Sequence, residues 1–125
     1  MTARTSPYLS FGGNAREAME FYRSVFGGNL RIVANADMGT SPDDLVAHAT
    51  LIGPTGVVLF GADTAVPAPG AEVALGGDAT ELGEYWERLA AGGTVTTPFG
   101  RSPWGALFGR CVDRYGVAWL VNATG

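Results

Sequence analysis

The chain has 125 residues, a formal net charge of −4 and eight basic residues, all of them arginine. The arginines are scattered, which argues against a nucleic-acid partner, since phosphate binding needs a clustered basic face. No apolar run approaches the roughly 18 residues that cross a bilayer, and one cysteine, Cys111, excludes an intrachain disulfide or a CxxC metal site.

Taken in order, Tyr8 to Phe11 is a short apolar strand ending in Gly-Gly. Asn14 is placed to cap a helix, with Glu17 at the third position to complete a capping box. Ala18, Phe21, Tyr22 and Val25 recur at helical spacing, and Gly27-Gly28 ends the run. Leu30 to Ala34 is a second strand. Ala36 to Asp44 is polar and turn-rich and is expected to be a loop. Val46 to Ile52 and Val57 to Gly61 form a hairpin across the turn Gly53 to Gly56. Thr64 to Gly70 is a Pro-rich connection. The order then restarts. Glu72 to Leu75 is a strand, and Asp78 caps a helix with Glu81 at the third position and Leu82, Tyr85, Trp86 and Leu89 on its apolar face. Gly92-Gly93 stops that helix. Thr94 to Thr97 is a strand and Thr97 to Pro103 a loop. Leu107 to Val112 and Val117 to Val121 form a second hairpin around Asp113 to Gly116.

The restart is visible residue by residue. Phe11 to Tyr22 (FGGNAREAMEFY) and Leu75 to Trp86 (LGGDATELGEYW) align without a gap at an offset of 64, with five of twelve positions identical. Gly56 to Leu59 is echoed by Gly116 to Trp119 at an offset of 60. The fold class is therefore α+β: tandem βαβββ modules, about 1–66 and about 67–125, forming one domain. Each half of about 60 residues is marginal alone. Each gives a sheet with a helix on one face, and such sheets can curve around a cavity.

Specific words in the chain extend this. Tyr8 to Gly28 (YLSFGGNAREAMEFYRSVFGG), His48 to Leu51 (HATL), the stretch AAGGTVTTPF and Trp104 to Asn122 (WGALFGRCVDRYGVAWLVN) resemble the vicinal oxygen chelate superfamily of glyoxalase I, bleomycin-resistance and extradiol-dioxygenase proteins. Within it they are most similar to the PhnB-like branch, also labelled 3-demethylubiquinone methyltransferase-like. Gly12-Gly13 is not a GxGxxG loop, so a nucleotide methyl donor is not expected. The resemblance implies a small-molecule ligand and a homodimer. In metal-dependent members, it also implies one divalent ion held by His, Glu or Gln from the first and fourth strands of each module.

Those positions here are Tyr8 and Glu72, and Phe60 and Leu120; a one-residue shift would substitute Leu59 and Trp119 for the last two. Phenyl and alkyl groups cannot coordinate a metal, so no metal and no other cofactor is expected. Strand alternation puts His48 and Thr50 on one face, with Phe108 and Arg110 at the matching positions of the second module. The expected ligand-binding set is Tyr8, Ser10, His48, Thr50, Phe60, Glu72, Trp104, Phe108, Arg110 and Leu120. His48 and Glu72 are the candidates for proton transfer. His48 is also readable as a structural imidazole, and Arg110 as an ion-pair partner of Glu72. Tyr22, Trp86 and Trp119 read as core, and Cys111 as an inert buried thiol. The function expected is metal-independent binding of an aromatic or anionic metabolite or drug. The alternative is a glyoxalase-, lyase- or dioxygenase-type enzyme acting on a small carbonyl compound, with or without a metal. The opening MTARTSPY lacks an apolar signal region, so a cytoplasmic location is expected, with no membrane association.

Overall fold

In the computed structural model, residues 6–39, 45–54, 56–64 and 72–123 are described. The chain divides into two compact units, Met1–Pro69 and Gly70–Gly125. The connection expected from Thr64 to Gly70 lies, apart from Thr64, outside the described residues, as do residues 40–44 of the first loop.

The first unit contains β1 (Tyr8–Phe11), α1 (Ala15–Phe26), β2 (Asn29–Ala34), β3 (Val46–Ile52) and β4 (Val58–Asp63). The second contains β5 (Val73–Gly77), α2 (Ala79–Ala90), β6 (Thr94–Arg101), β7 (Leu107–Val112) and β8 (Ala118–Ala123). The duplicated sequence builds a duplicated topology: one four-stranded sheet in the order β1-β4-β3-β2, the other in the order β5-β8-β7-β6. In each, the first and fourth strands pair in parallel and the remaining neighbours are antiparallel. The predicted α+β architecture is what is observed. Among the described residues, no helix is long and apolar enough to cross a membrane.

Alternation along the strands decides which face packs. In the first unit Leu9, Phe11, Ala49, Leu51 and Leu59 are buried, and so is the α1 stripe Ala15, Ala18, Met19, Tyr22, Val25 and Phe26. A β-carbon added at Gly61 would lie 2.9 Å from Met19 Sδ, so helix and sheet are in direct contact there. In the second unit Leu82, Tyr85 and Leu89 of α2 are buried together with Cys111, Trp119 and Val121. Trp86 is only half-buried and stacks on Phe99 with ring centroids 5.6 Å apart. The opposite, helix-free face carries Tyr8, Ser10, His48, Thr50 and Phe60 in the first unit and Ala74, Phe108, Arg110, Leu120 and Asn122 in the second.

Three local expectations are corrected. The segment read as a loop from Ala36 begins with a 3-10 turn at Asn35–Met38, closed by Gly39 in the left-handed conformation that glycine adopts without strain. β6 does not end at Thr97 but continues through Pro98 to Arg101. It does so with register irregularities between Val95 and Thr97 and between Thr97 and Gly100, and as an edge strand it tolerates a residue with no N–H to donate. The third correction concerns the cap of α1. Asp78 caps α2 as expected, its Oδ1 accepting from Thr80 N at 2.9 Å and Glu81 N at 3.3 Å. Asn14, at φ −117° and ψ 23°, makes no side-chain cap bond. Asp63, at the end of β4, takes over: its Oδ1 accepts from Gly13 N and Ala15 N and its Oδ2 from Val46 N, all at 2.9 Å.

Candidate functional site

On the helix-free face of the first unit, strand register sets Tyr8 beside Phe60 and Phe60 beside Thr50, with Ser10 opposite Ala62. His48 lies two residues from Thr50 and therefore on the same face. Three rings gather there: Tyr8 to His48 at 6.0 Å, Tyr8 to Phe60 at 6.4 Å and His48 to Phe60 at 5.6 Å between centroids. His48 Nε2 is 3.1 Å from Thr50 Oγ1, and a hydroxyl can donate or accept, so either imidazole tautomer is accommodated. Among the described residues, Nδ1 of His48 has no hydrogen-bond partner. Tyr8 is 53% exposed, so this aromatic group faces outward rather than into the core.

The second unit builds a different face from the matching strands. Arg110 pairs in register with Leu120, and Phe108 with Asn122. The guanidinium carbon of Arg110 sits 5.5 Å from the Phe108 ring centre, and Trp104 meets the same ring edge-on at 5.3 Å. Trp104 is 65% exposed. Glu72, just before β5, places Oε2 3.2 Å from Arg110 Nε. Its side chain and that of Arg110 are both partly open to solvent, so this pair is weakly held compared with a buried one.

Every expected site residue thus falls on the helix-free face of its own sheet or, for Glu72 and Trp104, at the edge of it. One equivalence changes. In the first unit Tyr8 pairs with Phe60, but in the second the residue paired with Leu120 is Ala74, not Glu72. β5 has slid by two residues along β8. Gly12-Gly13 bends out of the strand, where Asp63 takes the Gly13 N–H, whereas Gly77 stays in the strand opposite Ala123, which has no acceptor side chain. Matched by pairing, the four first- and fourth-strand positions are Tyr8, Phe60, Ala74 and Leu120. A phenol, a phenyl and two alkyl groups do not form the nitrogen and oxygen donor set that a divalent ion requires. Among the described residues, no three His, Cys, Asp or Glu side chains come together.

One residue escaped the sequence reading. Asn122 lies on the same face as Phe108 and Leu120, and among the described residues its buried Oδ1 has no hydrogen-bond partner. The available signal was a polar residue two positions beyond Leu120 in an otherwise apolar strand. Away from these faces, Cys111 is buried, and desolvation, then the nearby Asp113 carboxylate, push its thiol up to about 11. That suits a packing thiol and not a nucleophile. The buried indole of Trp119 donates from Nε1 to Asp113 Oδ2 at 2.8 Å. Trp119 and Tyr22 are core, as expected.

The fold and these residues can be set beside known proteins. Residues 5–121 match the family described as the glyoxalase/bleomycin resistance protein/dioxygenase superfamily. The chain is 29% identical to protein YjdN of Escherichia coli strain K12, over 94% of this chain and 92% of that one. The structure of protein PA1353 from Pseudomonas aeruginosa superposes with a TM-score of 0.81 at 36% identity, covering 98% of both chains. A PhnB protein from Bacillus cereus superposes with a TM-score of 0.77 at 27% identity, over 98% of this chain and 100% of that one.

Proposed function

This chain belongs to the glyoxalase/bleomycin resistance protein/dioxygenase superfamily, and on that premise we propose that it binds a small aromatic or anionic molecule without the help of a metal ion. The observation that carries the reading is Trp104. A tryptophan 65% exposed and braced edge-on against Phe108, the ring that also lies under the Arg110 guanidinium, is costly to leave in water and well suited to stack on a flat ligand. The ring group of Tyr8, His48 and Phe60 offers a second aromatic surface, with Ser10 and Thr50 as polar neighbours. Members of the superfamily bind small molecules and often dimerise, which supports a homodimer here. The predicted cytoplasmic location belongs to the same reading.

Three measurements test it. Thermal-shift screening with aromatic antibiotics, 2-oxo acids and phosphonates should find ligands that raise the melting temperature of the native protein, and Trp104→Ala should weaken them. Elemental analysis of the purified protein should find no stoichiometric Ni, Zn or Fe; one equivalent of any of these would overturn the metal-free part. Sedimentation equilibrium should return twice the chain mass.

A second reading is an enzyme in which His48 moves a proton. It is favoured by the open Nδ1 of His48, whose ring is held at Nε2 by Thr50. If turnover of a carbonyl compound is lost in His48→Ala while the compound still binds, this reading replaces pure binding.

A further inference from the structure

The pairing of Glu72 with Arg110 leaves part of the guanidinium unused. The closest approach is at Nε, 3.2 Å from Oε2. A guanidinium has five N–H donors in a planar fork, and its outer edge, formed by Nη1 and Nη2, points away from Nε. Among the described residues, no hydrogen bond to that edge is present. The guanidinium is also held by Phe108 beneath it, so its plane is braced before any ligand arrives. A strong two-oxygen anion fits the outer edge through two parallel bonds. Its charge would then lie near the Glu72 carboxylate, across one guanidinium. At about 6 Å in water-like surroundings, two like charges repel by enough to weaken binding roughly threefold.

We propose that Glu72 is an internal competitor that sets the ligand class of the second unit's open face. Because it already neutralises Arg110, a free inorganic anion gains little there. A ligand must add a planar apolar body that packs on Phe108 and Trp104 to a carboxylate or phosphonate that reaches the outer edge of Arg110. Glu72 is thus a specificity residue, and aromatic acids are the class selected. This rests on the small-molecule reading above and deepens it for one face.

The test uses the full chain and a matched pair of probes, 1-naphthoate and neutral 1-naphthamide. Binding is followed by protein NMR with the indole N–H of Trp104 as reporter. In the unaltered protein 1-naphthoate binds more tightly than 1-naphthamide. Glu72→Gln tightens 1-naphthoate about three- to fivefold and leaves 1-naphthamide unchanged, while Arg110→Gln brings the two probes to equal affinity. If Glu72→Gln leaves 1-naphthoate unchanged, or tightens both probes alike, Glu72 is no competitor and the inference fails while the aromatic site stands. If neither probe perturbs Trp104 in any variant, the aromatic site and the inference fall together. If sulfate alone shifts the Arg110 side-chain signals of the unaltered protein as strongly as 1-naphthoate does, the requirement for a planar body is wrong.

Discussion

Replacing Asp63 by alanine should destabilise the protein far more than removing Asn14, the residue that the sequence marks as the helix cap. Asp63 accepts three backbone N–H groups at 2.9 Å, from Gly13, Ala15 and Val46. The Gly13 donor is exposed, so water replaces the carboxylate there at little cost. The Ala15 and Val46 donors are part-buried, and a donor left without a partner costs about 1–3 kcal/mol. The sum for Asp63→Ala is about 2–4 kcal/mol, since water reaches a part-buried group in part. Asp63→Asn keeps one oxygen for Gly13 and Ala15 but turns an NH2 group toward the Val46 donor, for about 1–3 kcal/mol. Asn14→Ala removes no cap bond and should stay within about 0.5 kcal/mol. Equilibrium urea unfolding read by far-UV circular dichroism gives all three values. Tryptophan fluorescence alone is unsuitable, because Trp86, Trp104 and Trp119 all lie in the second unit. Should Asn14→Ala cost more than Asp63→Ala, the assignment of the cap to β4 is wrong.

The other predictions concern the packed cores of the two units. Trp119→Phe removes the indole donor from Asp113 Oδ2 and should cost about 1–3 kcal/mol in the same urea assay; a neutral result would mean that this buried bond contributes nothing. The Cys111 thiol, raised from 9.0 to about 11, keeps its proton in the folded chain where the unfolded chain loses it. The stabilisation is therefore complete below pH 9 and is lost as pH rises toward 11, by roughly 2–3 kcal/mol. Comparing urea midpoints of the unaltered protein and Cys111→Ala at the two ends of that range isolates it; parallel pH profiles would refute it. Gly109→Ala places a β-carbon 2.9 Å from the Phe99 Cα and 3.0 Å from the Trp86 ring, whereas Gly61→Ala meets the flexible end of Met19. The first should cost about 1–3 kcal/mol and the second clearly less, and a reversed order would show that the packing of α2 on its sheet yields more readily than that of α1 on its own.

Much of the fold was legible because its signals are local. Strand alternation, the helical stripes and the glycine stops are each written within about a dozen residues. The repeated words at offsets of 64 and 60 carry the duplicated topology that both sheets adopt. The extension of β6 was missed because Pro98 and Gly100 read as loop residues, and only an edge position makes them acceptable in a strand. The grouping of the candidate residues followed from alternation, since residues two apart share a face whatever the loops do. His48 and Thr50 go together on that ground, and so do Phe108 and Arg110; Tyr8 and Phe60 join them through the ligand positions that the superfamily resemblance implies.

What the chain alone determined, then, was which residues share a face and what they cannot coordinate: period-two patterning and side-chain chemistry are properties of short stretches. Only the tertiary structure decided partners that lie far apart in sequence. Asp63 reaches α1 from 48 residues beyond Ala15. Glu72 meets Arg110, and β5 slides two residues along β8, so that Ala74, and not Glu72, stands opposite Leu120. A cap from another strand and a shift in register leave the pattern of apolar and polar residues unchanged, because a two-residue slide returns every side chain to the same face. They change which groups touch, and in this protein those contacts define the cap and the candidate site.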